Sequence, residues 1–509
     1  MADEQHLELL RQGSAAWNSW REHNAAVKPV LSDTNLTELD LAGVDLSGVN
    51  LSRAELSQAN LEGADFSNAY LIRADLSRAS CRGANFAHTN FTGANLAGAD
   101  LSGTDFTGAD LTRASLAGAC LEESKLPGAQ LLMANLTRAR LSRAQLPVAN
   151  LAKAILTGAN LVQAKLSGAN LLGARLALAD LSEADLTRAD LSKAHLWKAK
   201  LTRANLTGAN LSGAELANAD LERVTLPLAH LTEARLRGVH LAQADLTEAN
   251  LTRAVLTEAD LWNAKLSRAQ LRGAELIRTS LSGADLSGAD LTHAVLVDAN
   301  LQKANLDHCC VASISACSLE LDEASQRNLV ITSPEGGPEI TVDGLEMAHF
   351  LGQFLHSERL RQVIEGLSLR AVLIVGRYSR KRETMLDTIR EELRESGYLP
   401  VAMDLEGPGG LPLKESLFTL AHLCRFVIAD LTGARNFSAE LELLEPAFHR
   451  VPAQLLAARS DSAKGLLRIV ERYPTLLRPF IYANREELRA SFAAKVMDPL
   501  EREWKRQGR

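Results

Sequence analysis

The chain has 509 residues, 46% apolar and 23% charged, and a formal net charge of −7. That composition can bury a large core and excludes a disordered or fibrous chain, while the small net charge gives no ground for bulk capture of nucleic acid or membrane. The six cysteines are scattered without a CxxC pair and no run of 18 apolar residues occurs, so the chain reads as an unexported, cytoplasmic protein with reduced thiols.

In chain order, residues 1–33 carry Leu7, Leu10, Trp17 and Trp20 at helical spacing, which predicts a helical cap. A repeat follows. From Leu36 to Leu306 every fifth residue is Leu, with Phe66, Cys81, Phe86, Phe91 and Phe106 as the exceptions, and the residue two places before it is almost always Ala; the register holds through 55 pentads. A period of five fits neither a helix nor an alternating strand. The chain must instead turn a corner in each pentad, placing one Leu and one Ala inward per side. In "RANLTGANLSGAEL" (203–216), Leu206, Leu211 and Leu216 are then structural, and the variable outward positions, Arg203 among them, hold whatever information the repeat carries.

The pattern A-[D/N]-L-[S/T]-x resembles the pentapeptide-repeat proteins. That resemblance implies a right-handed quadrilateral parallel β-helix with four pentads per coil, here roughly 14 coils and on the order of 65 Å of stacked rungs. Some members mimic DNA and bind topoisomerases, which requires an acidic surface. Residues 34–310 hold 29 Asp/Glu against 26 Lys/Arg, so mimicry is the disfavoured reading. Stacking positions 20 apart brings Arg53, Arg73, Arg113, Lys153, Lys193 and Arg253 into one outward column, with Glu233 as its only acid in that span. This is either a solvated basic face or a docking ridge for an acidic partner or polyanion. Trp197 and Trp262 occupy outward positions usually held by Ser or Thr. At the end of the repeat His308, Cys309, Cys310 and Cys317 could form a metal cluster, but adjacent cysteines at the end of a solenoid read as packing thiols instead.

Residues 311–369 read as a connector, with two strand-like runs around a PEGG turn and a helical stretch from about Leu345 to Ile364. From 370 to 509 strand and helix alternate: strands "AVLIVG" (371–376), "LPVAMD" (399–404), "RFVIADLTG" (425–433), "VPAQLLAA" and "FIYA", with helices between and a final helix from about Arg485. This order predicts a doubly wound parallel α/β sheet, in which ligands bind at the carboxyl ends of the strands. Gly376, Arg377, Tyr378 and Ser379, then Asp404 and Glu406, then Asp430 and Thr432 fall there, and Glu440 opens the next helix. Asp430 can equally cap its turn and Glu440 can equally favour a helix dipole; "EGPGG" at 406–410 is no phosphate fingerprint, and His422 with Cys424 is a poor nucleophile pair.

The segment 328–505 resembles TIR-like domains, through "VLIVGRYSRKRETMLDTIREELRESGYLPVAMD", "LAHLCRFVIADLTG" and "ARNFSAEL". The resemblance implies NAD or another nucleotide as ligand, with Gly376, Arg377, Ser379, Asp404, Asp430, Arg435 and Asn436 as binding positions. It also implies Glu440 as the glutamate of an NAD glycohydrolase-like activity. Asn436, Phe437 and Ser438 stand where many active TIR domains carry Ser-x-Trp-Cys. The chain therefore reads as a scaffold or sensor. Its rod would engage a protein partner or mediate self-assembly, and its TIR-like domain would bind a nucleotide, in bacterial signalling or antiphage defence. A non-enzymatic adaptor is the alternative.

Overall fold

The structure is a computed structural model; it describes residues 4–24, 26–332, 339–356, 370–376, 383–404, 413–432, 451–459 and 475–506. The chain divides into two compact units: Met1–Leu286 with Val295–Ala304 and Cys317–Glu323, and Ser287–Ala294 with Asn305–Ala316 and Ala324–Arg509.

In the first unit, residues 20 apart form parallel bridges from Val30↔Asn50 to Asn300↔Glu320, so four pentads make one coil. The pentad Ala209–Gly213 shows why this composition closes the coil. Asn210 donates its backbone N–H to Ala189 in the coil before (2.9 Å), while Leu211 and Gly213 donate to His230 and Thr232 in the coil after (2.6 and 2.9 Å). Ala209 N–H closes the corner on Leu206 O (2.9 Å). One N–H is left, that of Ser212, and the Asn210 side chain accepts it (3.1 Å). All five backbone donors are thus satisfied, as a stacked backbone requires. The Asn or Asp of the repeat is therefore part of the wiring. Where Lys125, Gln145 and Thr225 replace it, residue i+2 is Pro127, Pro147 and Pro227, which has no N–H to satisfy.

The inward Leu and Ala are buried throughout. Phe66, Phe86 and Phe106 lie 20 apart and stack inside the coil, with ring centroids 5.1 and 5.0 Å apart. The fifth residue of nearly every pentad is left-handed; glycine suits it at Gly208 (φ 65°), yet Arg203 adopts it too (φ 57°). Outside, cations and acids pair along the stacking direction, as in Arg143–Glu123, Arg235–Glu215 and Arg278–Glu258.

The open end of the first coil is closed by two helices, α1 (Glu4–Arg11) and α2 (Ser14–His23). Asp45 would bond to a coil that does not exist. Instead the Asn18 side chain accepts its N–H (2.7 Å) and Trp17 Nε1 donates to its carbonyl (2.6 Å). Arg21 donates to Ser47 O (2.7 Å), and Trp17 itself is buried. The expected helical cap thus works by supplying side-chain groups in place of a missing strand.

The second unit is built on a seven-stranded sheet. Its strands are β1 (Leu329–Val330), β2 (Ile340–Val342), β3 (Ala371–Gly376), β4 (Leu399–Asp404), β5 (Phe426–Asp430), β6 (Ala453–Ala458) and β7 (Leu476–Tyr482). They lie in the order β1-β2-β4-β3-β5-β6-β7. The β4-β3-β5-β6-β7 portion is parallel; β1 and β2 join antiparallel at one edge. The two strand-like runs around the PEGG turn are thus sheet strands. Within this unit β1 also pairs with the last repeat rung, Val330 N–H donating to Cys309 O (2.8 Å) and Val311 N–H to Val330 O (2.7 Å).

The near-continuous apolar runs of β3 and β5 are buried on both faces, as parallel strands require. One face packs against α4 (Glu383–Glu395), α6 (Arg485–Phe492), a π-helical turn (Ala493–Met497) and α7 (Asp498–Arg506). Two more helices, α3 (Leu345–His356) and α5 (Leu413–Leu423), complete the described helices of this unit; α5 packs against β3. The helices expected around Glu440 and near 463–472 lie outside the described residues. At the amino edge of the sheet, Arg425 bonds Glu501 (2.8 Å) and faces the rings of Tyr398, Phe426 and Trp504. Tyr398 also donates to Glu501, and burial together with that carboxylate pushes its phenol up to about 12.

Candidate functional site

The carboxyl edge of the parallel strands collects the residues expected there. Register sets Gly376 opposite both Asp404 and Asp430, so the ends of β4, β3 and β5 form one row. β3 and β5 are the strands between which the order of connection reverses, the place where a doubly wound sheet leaves a crevice. Gly376 is buried and presents only backbone; Asp404 and Asp430 are half-buried. Asp430 turns back on its own chain, accepting the N–H of Thr432 (3.1 Å), and Thr432 Oγ1 lies 2.8 Å from Tyr482 Oη. The turn-capping role weighed for Asp430 is therefore real. Arg377, Tyr378, Ser379, Glu406, Arg435, Asn436 and Glu440 lie outside the described residues, so of the expected site Gly376, Asp404, Asp430 and Thr432 are placed.

On the β2 side of Asp404 there is a cavity of about 340 Å³. Besides Asp404 it is lined by Asn328, Glu339, Thr341, Asp387 and Arg390. Arg390 is buried, and its guanidinium donates to Thr341 Oγ1 and to Asp387 Oδ1 (3.5 Å). Asn328 Oδ1 is buried with no hydrogen-bond partner among the described residues. Sequence reasoning missed this cavity for two reasons. Thr341 lies in the stretch read as a connector, and Arg390 stands mid-helix, where a cation ordinarily faces water. Strand β2 beside β4 would have been the only signal.

Cys309 is buried at an Ala position of the repeat, Cys310 sits on a rung with Sγ 3.6 Å from Thr332 O, and Cys317 is exposed. Among the described residues, no group of three or more His, Cys, Asp or Glu could hold a metal ion, and no helix is long and apolar enough to cross a membrane.

The sequence model of pentapeptide repeats, in eight copies, matches residues 30–226 and 234–311 in overlapping stretches. Among solved structures, HetL, a pentapeptide repeat protein involved in heterocyst differentiation regulation from the cyanobacterium Nostoc sp. strain PCC 7120, is 35% identical over 50% of this chain and 95% of its own, with a TM-score of 0.22. A pentapeptide repeat protein from the cyanobacterium Cyanothece 51142 is 25% identical over 25% of this chain and 89% of its own (TM-score 0.16). Full-length QnrB1, a plasmid-mediated fluoroquinolone resistance protein, is 18% identical over 33% of this chain and 85% of its own (TM-score 0.20). Comparison with curated proteins gave no match.

Proposed function

Because the chain belongs to the pentapeptide-repeat family, we propose that it is a cytoplasmic scaffold acting through protein contacts on its outer repeat surface, with a C-terminal TIR-like domain that binds NAD or a related nucleotide. The observation that carries the contact reading is the sealed interior. The inward positions of the repeat are almost all apolar and buried, and the hydroxyls among them, Thr89, Thr104, Ser124 and Thr279, are spent on backbone carbonyls, so chemical variety is concentrated on the outside. The nucleotide reading is supported by the β4-β3-β5-β6-β7 order of the parallel strands and by the row Asp404–Gly376–Asp430 at their carboxyl edge. Arg377 and Arg435 are the proposed phosphate partners and Glu440 the group that would act on a glycosidic carbon. Signalling or antiphage defence is the setting this pairing suits.

The adaptor reading has its own support: the Asp430 carboxylate is already engaged by Thr432 N–H. Titration of the full-length protein with NAD, ADP and AMP, with and without forced oligomerisation, separates the two. Saturable NAD binding that falls at least tenfold in Arg377→Ala supports the nucleotide site, and product formation abolished by Glu440→Gln adds catalysis. Absence of both binding and turnover leaves the adaptor. The topoisomerase-mimic reading is not favoured by the outer charges, since 29 Asp/Glu stand against 26 Lys/Arg over residues 34–310 and no strongly acidic surface results.

A further inference from the structure

The outward basic column stacks cations of one sign along one side of the coil. It is headed by Asp33, which pairs with Arg53 (2.6 Å), and near its other end Glu233 pairs with Arg253 (3.7 Å). Between these pairs Arg73, Arg113, Lys153 and Lys193 are exposed, and no carboxylate lies within ion-pairing distance of them among the described residues. Each is separated from the next by 40 residues, or two coils, which at about 4.8 Å per rung spaces the cations about 10 Å apart along a line of about 29 Å.

The positions between them explain how the charges are held. Gly93 and Gly173 alternate with the cations, and a Cβ at either would come within 3.6 Å of Arg73 Cγ or 3.8 Å of Lys153 Cγ. Arg73 and Lys153, and likewise Lys193 over Gly213, thus lean over the coil beyond their own, where a glycine leaves room. Met133 (40% exposed), Leu172 (36%) and Tyr70 (52%) stand among the cations on the same side. Asp110 and Asp190 are the carboxylates of this side over the same span, and each accepts a backbone N–H, from Thr112 (2.9 Å) and Ser192 (3.0 Å).

We propose that this strip is the docking surface for an acidic amphipathic α-helix of a partner protein, an inference that rests on the scaffold reading and names its surface. A helix advances about 10.5 Å in seven residues, close to the two-coil spacing, so a carboxylate at one heptad position meets successive cations. Apolar residues flanking it meet Met133 and Leu172. The apolar side chains between the cations favour such a segment over a phosphate backbone, which has nothing to place against them.

The test uses full-length protein and a fluorescein-labelled, four-heptad helical peptide with Glu at one heptad position and Leu beside it. Anisotropy is read at about 0.05 M and about 0.3 M salt. The reversal R73E/R113E/K153E/K193E is expected to weaken binding at least tenfold at low salt. The control reversal K125E/K165E/R188E/K265E, on another side of the coil, should change it less than twofold, with both melting temperatures at the wild-type value. Equal effects of the two reversals, no effect of the first, or no peptide binding by the wild type overturns the proposal. Tighter binding of inorganic polyphosphate or single-stranded DNA than of the peptide overturns it as well. Peptide binding that survives the first reversal removes the strip and leaves the scaffold reading to its own test.

Discussion

At the scale of single residues, the repeat is a solution to hydrogen-bond accounting. The A-[D/N]-L-[S/T]-x pattern gives the coil an inward apolar pair, an Asn or Asp that satisfies the one backbone N–H the ladder leaves over, and a left-handed corner. Proline two residues after Lys125, Gln145 and Thr225 meets the same requirement by removing the donor, although other pentads such as Ile155–Thr157 and Arg175–Ala177 use neither device. Ala209 is fully buried, and Ala209→Phe should overpack its coil at a cost of about 1–3 kcal/mol, read as a lowered melting temperature. An unchanged melting temperature would mean that Ala209 does not point inward. The thiols divide by the same geometry. Burial pushes Cys81 and Cys424 far above the ordinary thiol value, and Cys120 and Cys309 are buried as well. Iodoacetamide on the native protein should therefore label Cys317 first, and mass spectrometry finding Cys81 modified at a comparable rate would contradict the packing.

At the scale of elements, the ends decide whether a stacked coil persists. Trp17, Asn18 and Arg21 stand in for a strand at the first coil, and the sheet of the second unit is closed by similar means. One of its edges, β1, is taken up by the rung at Cys309–Val311, and β7 carries Pro479, which lacks a ladder donor. The cap has a pH dependence. Burial raises the Asp45 carboxyl, but hydrogen bonds from Ser47 and the charge and bonds of Arg21 outweigh this and leave it below its ordinary value of 3.8. A carboxyl depressed in the folded state stabilises fully above its unfolded value of about 4 and loses that contribution as pH falls through the folded one. Wild type should thus melt above Asp45→Asn at neutral pH, and the gap should close on acidification. A gap independent of pH would mean that Asp45 is held by its backbone alone.

At the scale of the whole molecule, what was legible depended on how local its cause was. The coil could be read from the sequence because each pentad repeats one local argument. The stack of Phe66, Phe86 and Phe106 was legible too, in its 20-residue spacing, once that spacing is known to be one coil. The parallel strands were visible as apolar runs between helices, whereas the place of β1 and β2 in the sheet was not, because two- and three-residue strands leave no periodicity and depend on a partner far along the chain. The cavity beside Asp404 escaped for the same reason, since Asn328, Thr341 and Arg390 meet only through that pairing. Asp404, Gly376 and Asp430, by contrast, were expected at one edge from strand order alone.

Hydrogen exchange of the full-length protein with and without saturating NAD separates a contact-making repeat from a nucleotide-binding sheet. Slowed exchange is expected only in peptides at the carboxyl ends of β3, β4 and β5, with residues 36–306 unchanged. Unchanged exchange at those strand ends, or protection within the repeat, would contradict it.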